Sequence, residues 1–147
     1  MNTAAPHQRL KIGEVAAITG LSVKTIRYYE EIGLLVPTVL RADSGYRLFD
    51  NAVLERLAFI KQVQSLGLSL TEVKDILQVH DQGILPCGEV KHHLQAKKQQ
   101  IDAAIEALLQ QRSQLEIILA AWNEHPISQK AATICPNLQE SQPHGLG

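Results

Sequence analysis

The chain of 147 residues carries 14 Lys or Arg against 15 Asp or Glu, a formal charge of −1, with 45% hydrophobic and 4% aromatic residues. That length holds one domain, or a small domain with an appendage, and the near-neutral balance excludes a protein that holds nucleic acid or anionic membrane by bulk charge. Two cysteines 48 positions apart make no disulfide framework, and no apolar run approaches the ~18 to 20 residues of a membrane span, so a cytoplasmic, reducing setting with no membrane partner is expected.

The opening MNTAAPHQ has no apolar stretch of the kind a secretory signal needs, and reads as a short polar lead. The stretch KIGEVAAITGLSVKTIRYYEEIGLL then predicts two short helices around a tight turn. Ile12, Val15, Ala16 and Ile18 recur at helical spacing, Gly20 stops the first helix, and Ser22 caps the second, which runs to Gly33. Residues 36–49, VPTVLRADSGYRLF, combine a proline, an Asp-Ser-Gly turn and alternating Tyr46 and Leu48, the pattern of a β-hairpin wing. Asp50 is placed to cap a third helix that Gly67 ends, and Ser69 with Glu72 spells a capping box for a fourth through Leu77.

Beyond Gly88 the period changes. Leu94, Ile101, Leu108, Leu115 and Trp122 repeat every seven residues, with Ile105 and Leu119 on the adjoining row and no proline from 88 to 122. A helix of that length extends about 52 Å at ~1.5 Å per residue, more than a small domain can cover, so it needs a partner; pairing with its own copy in a homodimer is expected. Lys98 and Arg112 interrupt the second row of the seam. A loop with an apolar patch at Ile134 and Leu138 follows, and then a polar tail, 139–147, expected to be disordered.

Two helices about a glycine-containing turn form a helix-turn-helix, whose second helix enters the major groove by its N-terminal turn. Lys24, Thr25, Arg27 and Tyr28 occupy that turn and its outward face, while Tyr29 falls beside Ile26 on the packing side. Charged helix faces are commonly just solvated. Here the pair is followed by a wing with Arg47, a helix with Lys61 and a helix of dimerisation length, and together these favour a dimeric winged DNA reader.

The segments KIGEVAAITGLSVKTIRYYEEIGLL, DSGYRLF and FIKQVQSLGLSLTEVKDIL resemble successive elements of the MerR family of transcription regulators. The resemblance implies a mainly α chain: a winged helix-turn-helix DNA-binding domain over 10–79, an antiparallel coiled-coil dimerisation helix over 88–122 and a metal or effector loop over 123–138. It implies contacts to double-stranded promoter DNA from Lys24, Thr25, Arg27, Tyr28, Tyr46, Arg47 and Lys61. It also implies a mechanism in which the dimer, with effector bound, distorts an over-long promoter spacer so that RNA polymerase engages both promoter elements.

Only about 25 residues follow the long helix, too few for a separate drug-binding domain. The resemblance to metal-sensing members instead points to Cys87 at the start of the long helix and Cys135 in the loop behind it, brought together between antiparallel chains. Divalent-metal sensors of the family usually carry a further cysteine where this chain has Trp122, and monovalent-copper sensors lack the one at Cys87. His125 is the substitute ligand expected. Zinc is ranked first and mercury second, with cadmium and lead as further soft ions. A thiol or electrophile sensor and a coiled-coil adaptor or metal buffer are the rival readings. The sequence spells no catalytic triad, phosphate-binding glycine loop or paired carboxylates in a cleft, so no enzyme is expected.

Overall fold

A computed structural model describes residues 9–140, so the reading of MNTAAPHQ and most of the expected tail, 141–147, lie outside the described residues. The chain forms two compact units that divide between Lys97 and Lys98.

In the first unit, β1 (Arg9–Leu10) leads into α1 (Ile12–Thr19) and α2 (Val23–Glu31). The sequence supplies both ends of the turn between the helices. Gly20 takes the left-handed conformation at φ 75° and donates its N–H to the Ala16 carbonyl at 2.9 Å, closing α1. Ser22 Oγ accepts the Thr25 N–H at 3.0 Å, opening α2. One short 3-10 turn (Val36–Thr38) precedes β2 (Val39–Arg41) and β3 (Arg47–Asp50).

The hairpin expected over 36–49 is present, with its turn at Asp43, Ser44 and Gly45, but β3 is the centre of a three-stranded antiparallel sheet ordered β1-β3-β2. Leu10 and Val39 flank Phe49 on either side, and Phe49 is fully buried. Two residues of β1 are too few to show a period, so the sequence reading gave them no element.

Helix α3 (Val53–Ser65) starts after Ala52, whose N–H is accepted by Asp50 Oδ1 at 2.8 Å. Asp50 therefore braces the turn before the helix, and the cap position itself falls to Ala52. Helix α4 (Leu70–Asp81) carries the predicted capping box: Ser69 Oγ accepts the Glu72 N–H at 3.2 Å and Glu72 Oε1 accepts the Ser69 N–H at 3.0 Å. Hydrogen bonding to the carboxyl from Ser69, by its backbone N–H first and its side chain second, holds Glu72 below its ordinary range. The helix continues four residues past the expected Leu77 and ends before Gly83, where φ is 83°.

Val15, Ile26, Leu34, Leu35, Phe49, Val53, Leu57, Ile60, Val73 and Ile76 form a core contributed by α1, α2 and the turn after it, β3, α3 and α4. Arg56 is buried beside it. Its Nε donates to the Leu34 carbonyl at 2.5 Å, and its two Nη groups donate to Asp81 at 2.6 and 2.9 Å, tying the turn after α2 to the end of α4. A buried pair of this kind adds little net stability, but losing one partner strands the other charge.

Helix α5 (Cys87–Ala120) is one continuous helix of 34 residues, against the expected 88–122. Its first turns belong to the first unit: Val90 and Leu94 pack on the core, and His93 lies 3.3 Å from Glu72. In the second unit the apolar row is left open, with Ile101 48%, Leu108 64%, Leu115 52% and Leu119 65% exposed. The interrupting cations have acids one turn on, Lys98 with Asp102 at 3.7 Å and Arg112 with Glu116 at 3.5 Å.

The loop after α5 folds back through Asn137. Its Oδ1 accepts the Asn123 N–H at 2.8 Å and its Nδ2 donates to the Asn123 carbonyl at 2.9 Å. The short α6 (Pro136–Gln139) is followed by Glu140, whose Oε1 accepts the Ser128 and Thr133 hydroxyls; those two bonds hold its carboxyl below the ordinary range. Gln139 Oε1 accepts the N–H groups of Ile134 and Cys135. Gln139 and Glu140, expected to open a disordered tail, are therefore part of the folded loop.

Candidate nucleic-acid interface

The second helix of the helix-turn-helix sorts its side chains as its period requires. Ile26 and Tyr29 are buried, while Lys24, Arg27 and Tyr28 are exposed. Tyr29 donates its hydroxyl to Gln64 Oε1 at 2.8 Å, and burial raises its pKa against the opposing effect of that bond. Tyr28 is 49% exposed. Thr25 is half-buried and its hydroxyl lies 2.8 Å from Ser22 Oγ, so this predicted contact residue also serves the helix cap.

The wing adds Tyr46, 74% exposed, and Arg47 at the start of β3. Arg27, Tyr46 and Arg47 share a cleft of about 420 Å³ with Ile12, Arg41, Ser44 and Gly45. Helix and wing thus present one surface. Lys61 is exposed on α3 and lines a separate cleft with Ile18, Thr19 and Leu21. Arg41 is the residue the sequence reading missed. It stands directly across the hairpin from Arg47, a pairing that becomes legible once the 42–46 turn fixes the register.

Arg47 is less free than the sequence suggested. Its Nε lies 3.2 Å from Glu30 Oε1, and its side chain is 39% exposed. Three guanidinium groups around one cleft make a surface suited to phosphates or guanine edges, and glycine at position 45, with φ 84°, allows the tight turn that displays Tyr46.

Cys87, the first residue of α5, is an exposed free thiol; Cys135, just before α6, is a half-buried one. His125 is exposed, and its backbone N–H donates to Asn123 Oδ1 at 3.0 Å. Among the described residues, no group of three or more His, Cys, Asp or Glu within the chain is arranged to hold a metal ion. The thiolates have the right chemistry for a soft ion, but one chain alone does not assemble the set.

Two family descriptions match this sequence: "MerR HTH family regulatory protein" over residues 10–79 and "MerR, DNA binding" over 54–117. The chain is 33% identical over 131 residues to the mercuric resistance operon regulatory protein of Bacillus cereus, covering 89% of this chain and 96% of that one. The chain belongs to the MerR family. Among solved structures, it resembles the transcription regulator PbrR691 from Ralstonia metallidurans CH34 in complex with lead(II), with a TM-score of 0.69 and 29% identity over 82% of this chain and 93% of that one. It also resembles HiNmlR, a MerR family regulator lacking the sensor domain, bound to promoter DNA, with a TM-score of 0.53 and 26% identity over 77% and 85% of the two chains.

As a MerR-family chain it is a DNA-binding transcription regulator of mainly helical fold, not an enzyme. No helix among the described residues is long and apolar enough to cross a membrane.

Proposed function

We propose that this MerR-family regulator binds promoter DNA as a homodimer and activates transcription by distorting the DNA when a soft metal ion is bound, allowing RNA polymerase to engage. The observation that carries the reading is the pair of free thiols, Cys87 opening α5 and Cys135 in the loop behind it, in a chain similar to regulators named with mercury and lead. The open apolar row of α5 supports pairing through that helix. Antiparallel pairing would let Cys87 of one copy meet Cys135 and His125 of the other. The bound ion would cross-link two chains, which gives it the means to bias one arrangement of the dimer.

Lys24, Arg27, Tyr28, Tyr46, Arg47, Lys61 and, in part, Thr25 are assigned to DNA, joined by Arg41 in the same cleft as Arg27 and Arg47. Distorting a site of this size costs on the order of 1 to 10 kcal/mol, within reach of many phosphate contacts. For the ion, a closed zinc site asks for four donors where three are named, so mercury and lead now stand ahead of zinc, and cadmium stays in the series.

The test is run-off transcription with a heterodimer series across zinc, cadmium, mercury and lead. Cys87→Ser and Cys135→Ser homodimers are each expected to bind DNA normally and lose the metal response. Mixing the two chains is expected to restore one site of two. A full response from both single variants would overturn the thiol assignment, and a response to an alkylating electrophile in place of the metals would favour a thiol sensor.

A further inference from the structure

One residue of the Arg-lined cleft, Arg47, is paired with an acidic side chain of α2, Glu30, whose placement is unusual. Glu30 sits in the last turn of α2, where the helix dipole disfavours a carboxylate, and its side chain is 13% exposed. Its Oε2 is buried with no hydrogen-bond partner among the described residues, a cost that helix formation does not repay. Its Oε1 meets the Nε of Arg47 at 3.2 Å. A negative group beside a phosphate-facing surface also repels the ligand. Three separate penalties fall on one residue, and the contact to Arg47 is what sets against them.

From this geometry we infer that Glu30 is the positioning residue for the wing: it holds Arg47 by the Nε edge and so turns the guanidinium's two Nη groups toward the DNA. The ion pair is made at Nε, and neither Nη group makes a hydrogen bond among the described residues, which leaves the fork that a phosphate or a guanine edge accepts in pairs. The cross-strand neighbour supplies the need. Arg41 stands directly opposite Arg47 in the hairpin, and Arg27 lines the same cleft, so three like charges would splay the wing from the helix without a carboxylate paired to one of them. Arg41 is steadied from its own turn, with Nη1 3.4 Å from the Gly45 carbonyl. Arg47 is steadied from the recognition helix, which couples the spacing of wing and helix to one ion pair.

The inference rests on the cleft being the DNA-contacting surface, and the experiment separates the two. A duplex selected by the wild-type chain from a randomised pool is the specific probe, and an unselected duplex the nonspecific one. Glu30→Gln, nearly the same shape, is expected to weaken the specific complex about tenfold and make its salt slope shallower by about one, while nonspecific binding stays equal or rises because a repelling charge is gone. The double variant Glu30→Gln/Arg47→Ala is expected to bind no more weakly than Arg47→Ala. Arg47→Lys keeps the charge but loses the Nε contact, and is expected to share the specific loss should Glu30→Gln lower the folding midpoint. Tighter or unchanged specific binding by Glu30→Gln would overturn the inference, as would additive losses in the double variant. If Arg27→Ala leaves the specific complex untouched, the cleft is not the DNA surface, and the failure lies with that reading.

Discussion

Tyr28 and Tyr29 are adjacent in sequence and different in environment, because successive residues of a helix point about 100° apart. Tyr29 spends its ring on the core and its hydroxyl on Gln64, while Tyr28 extends into solvent beside Arg27. The two should separate in a simple experiment. Tyr29→Phe is expected to lower unfolding free energy by ~0.5 to 1.5 kcal/mol, the usual worth of one side-chain hydrogen bond, with the DNA salt slope unchanged. Tyr28→Phe is expected to leave denaturant stability within ~0.5 kcal/mol and weaken DNA binding, since an exposed position away from the core carries little stability. Equal stability losses in the two variants would contradict this division.

At the scale of the element, the capping box of α4 shows how local sequence fixes a boundary and then acquires a second use. Ser69 and Glu72 satisfy each other's backbone N–H groups, and Glu72 also faces His93 of α5 at 3.3 Å. Because its folded pKa is lowered, Glu72 contributes stability that is present above its unfolded value, ~4.3, and is lost as pH falls through the folded value. Ser69→Ala is expected to cost ~1 kcal/mol near neutrality. It should also shrink the acid limb of the stability profile below about pH 4.3 in part, since it removes the Ser69 side-chain bond and leaves the larger cause, the Ser69 backbone N–H, in place. Urea melts from pH 2 to 7 would check both; a variant with an unaltered acid limb would leave the shift to the backbone N–H alone.

For the whole molecule, the decisive feature is the open row of α5. Single exposed leucines are ordinary, but Ile101, Leu108 and Leu115 lie along one helix at heptad spacing, with Leu119 on the adjoining row. Leu108→Lys puts a charge in the middle of that row. Wild type is expected to sediment as a dimer at micromolar concentration, and the variant as a monomer with an intact α1–α4 core and no binding to a two-fold symmetric duplex. Wild-type monomers at that concentration would remove the case for pairing through this row.

Local chemistry was enough to specify much of the first unit. Gly20, Ser22, Ser69 and Glu72 act at short range, so a glycine stop, a serine cap and a capping box could be read from the sequence and are present in the structure. The helical period likewise announced the long α5, and the outward faces of Lys24, Arg27 and Tyr28. What needed tertiary structure was every pairing between distant segments. The two-residue β1 exists because Phe49 of β3 offers it a partner, and Arg56 is buried because Leu34 and Asp81 converge on it from 22 and 25 positions away. Arg41 joined the cleft and Glu30 met Arg47 for the same reason: hairpin register and helix packing set their neighbours, and neither is written in a local period. Caps and periods are decided by a few adjacent residues, whereas a site made of Arg27, Arg41, Arg47 and Glu30 is decided by where three separate elements meet.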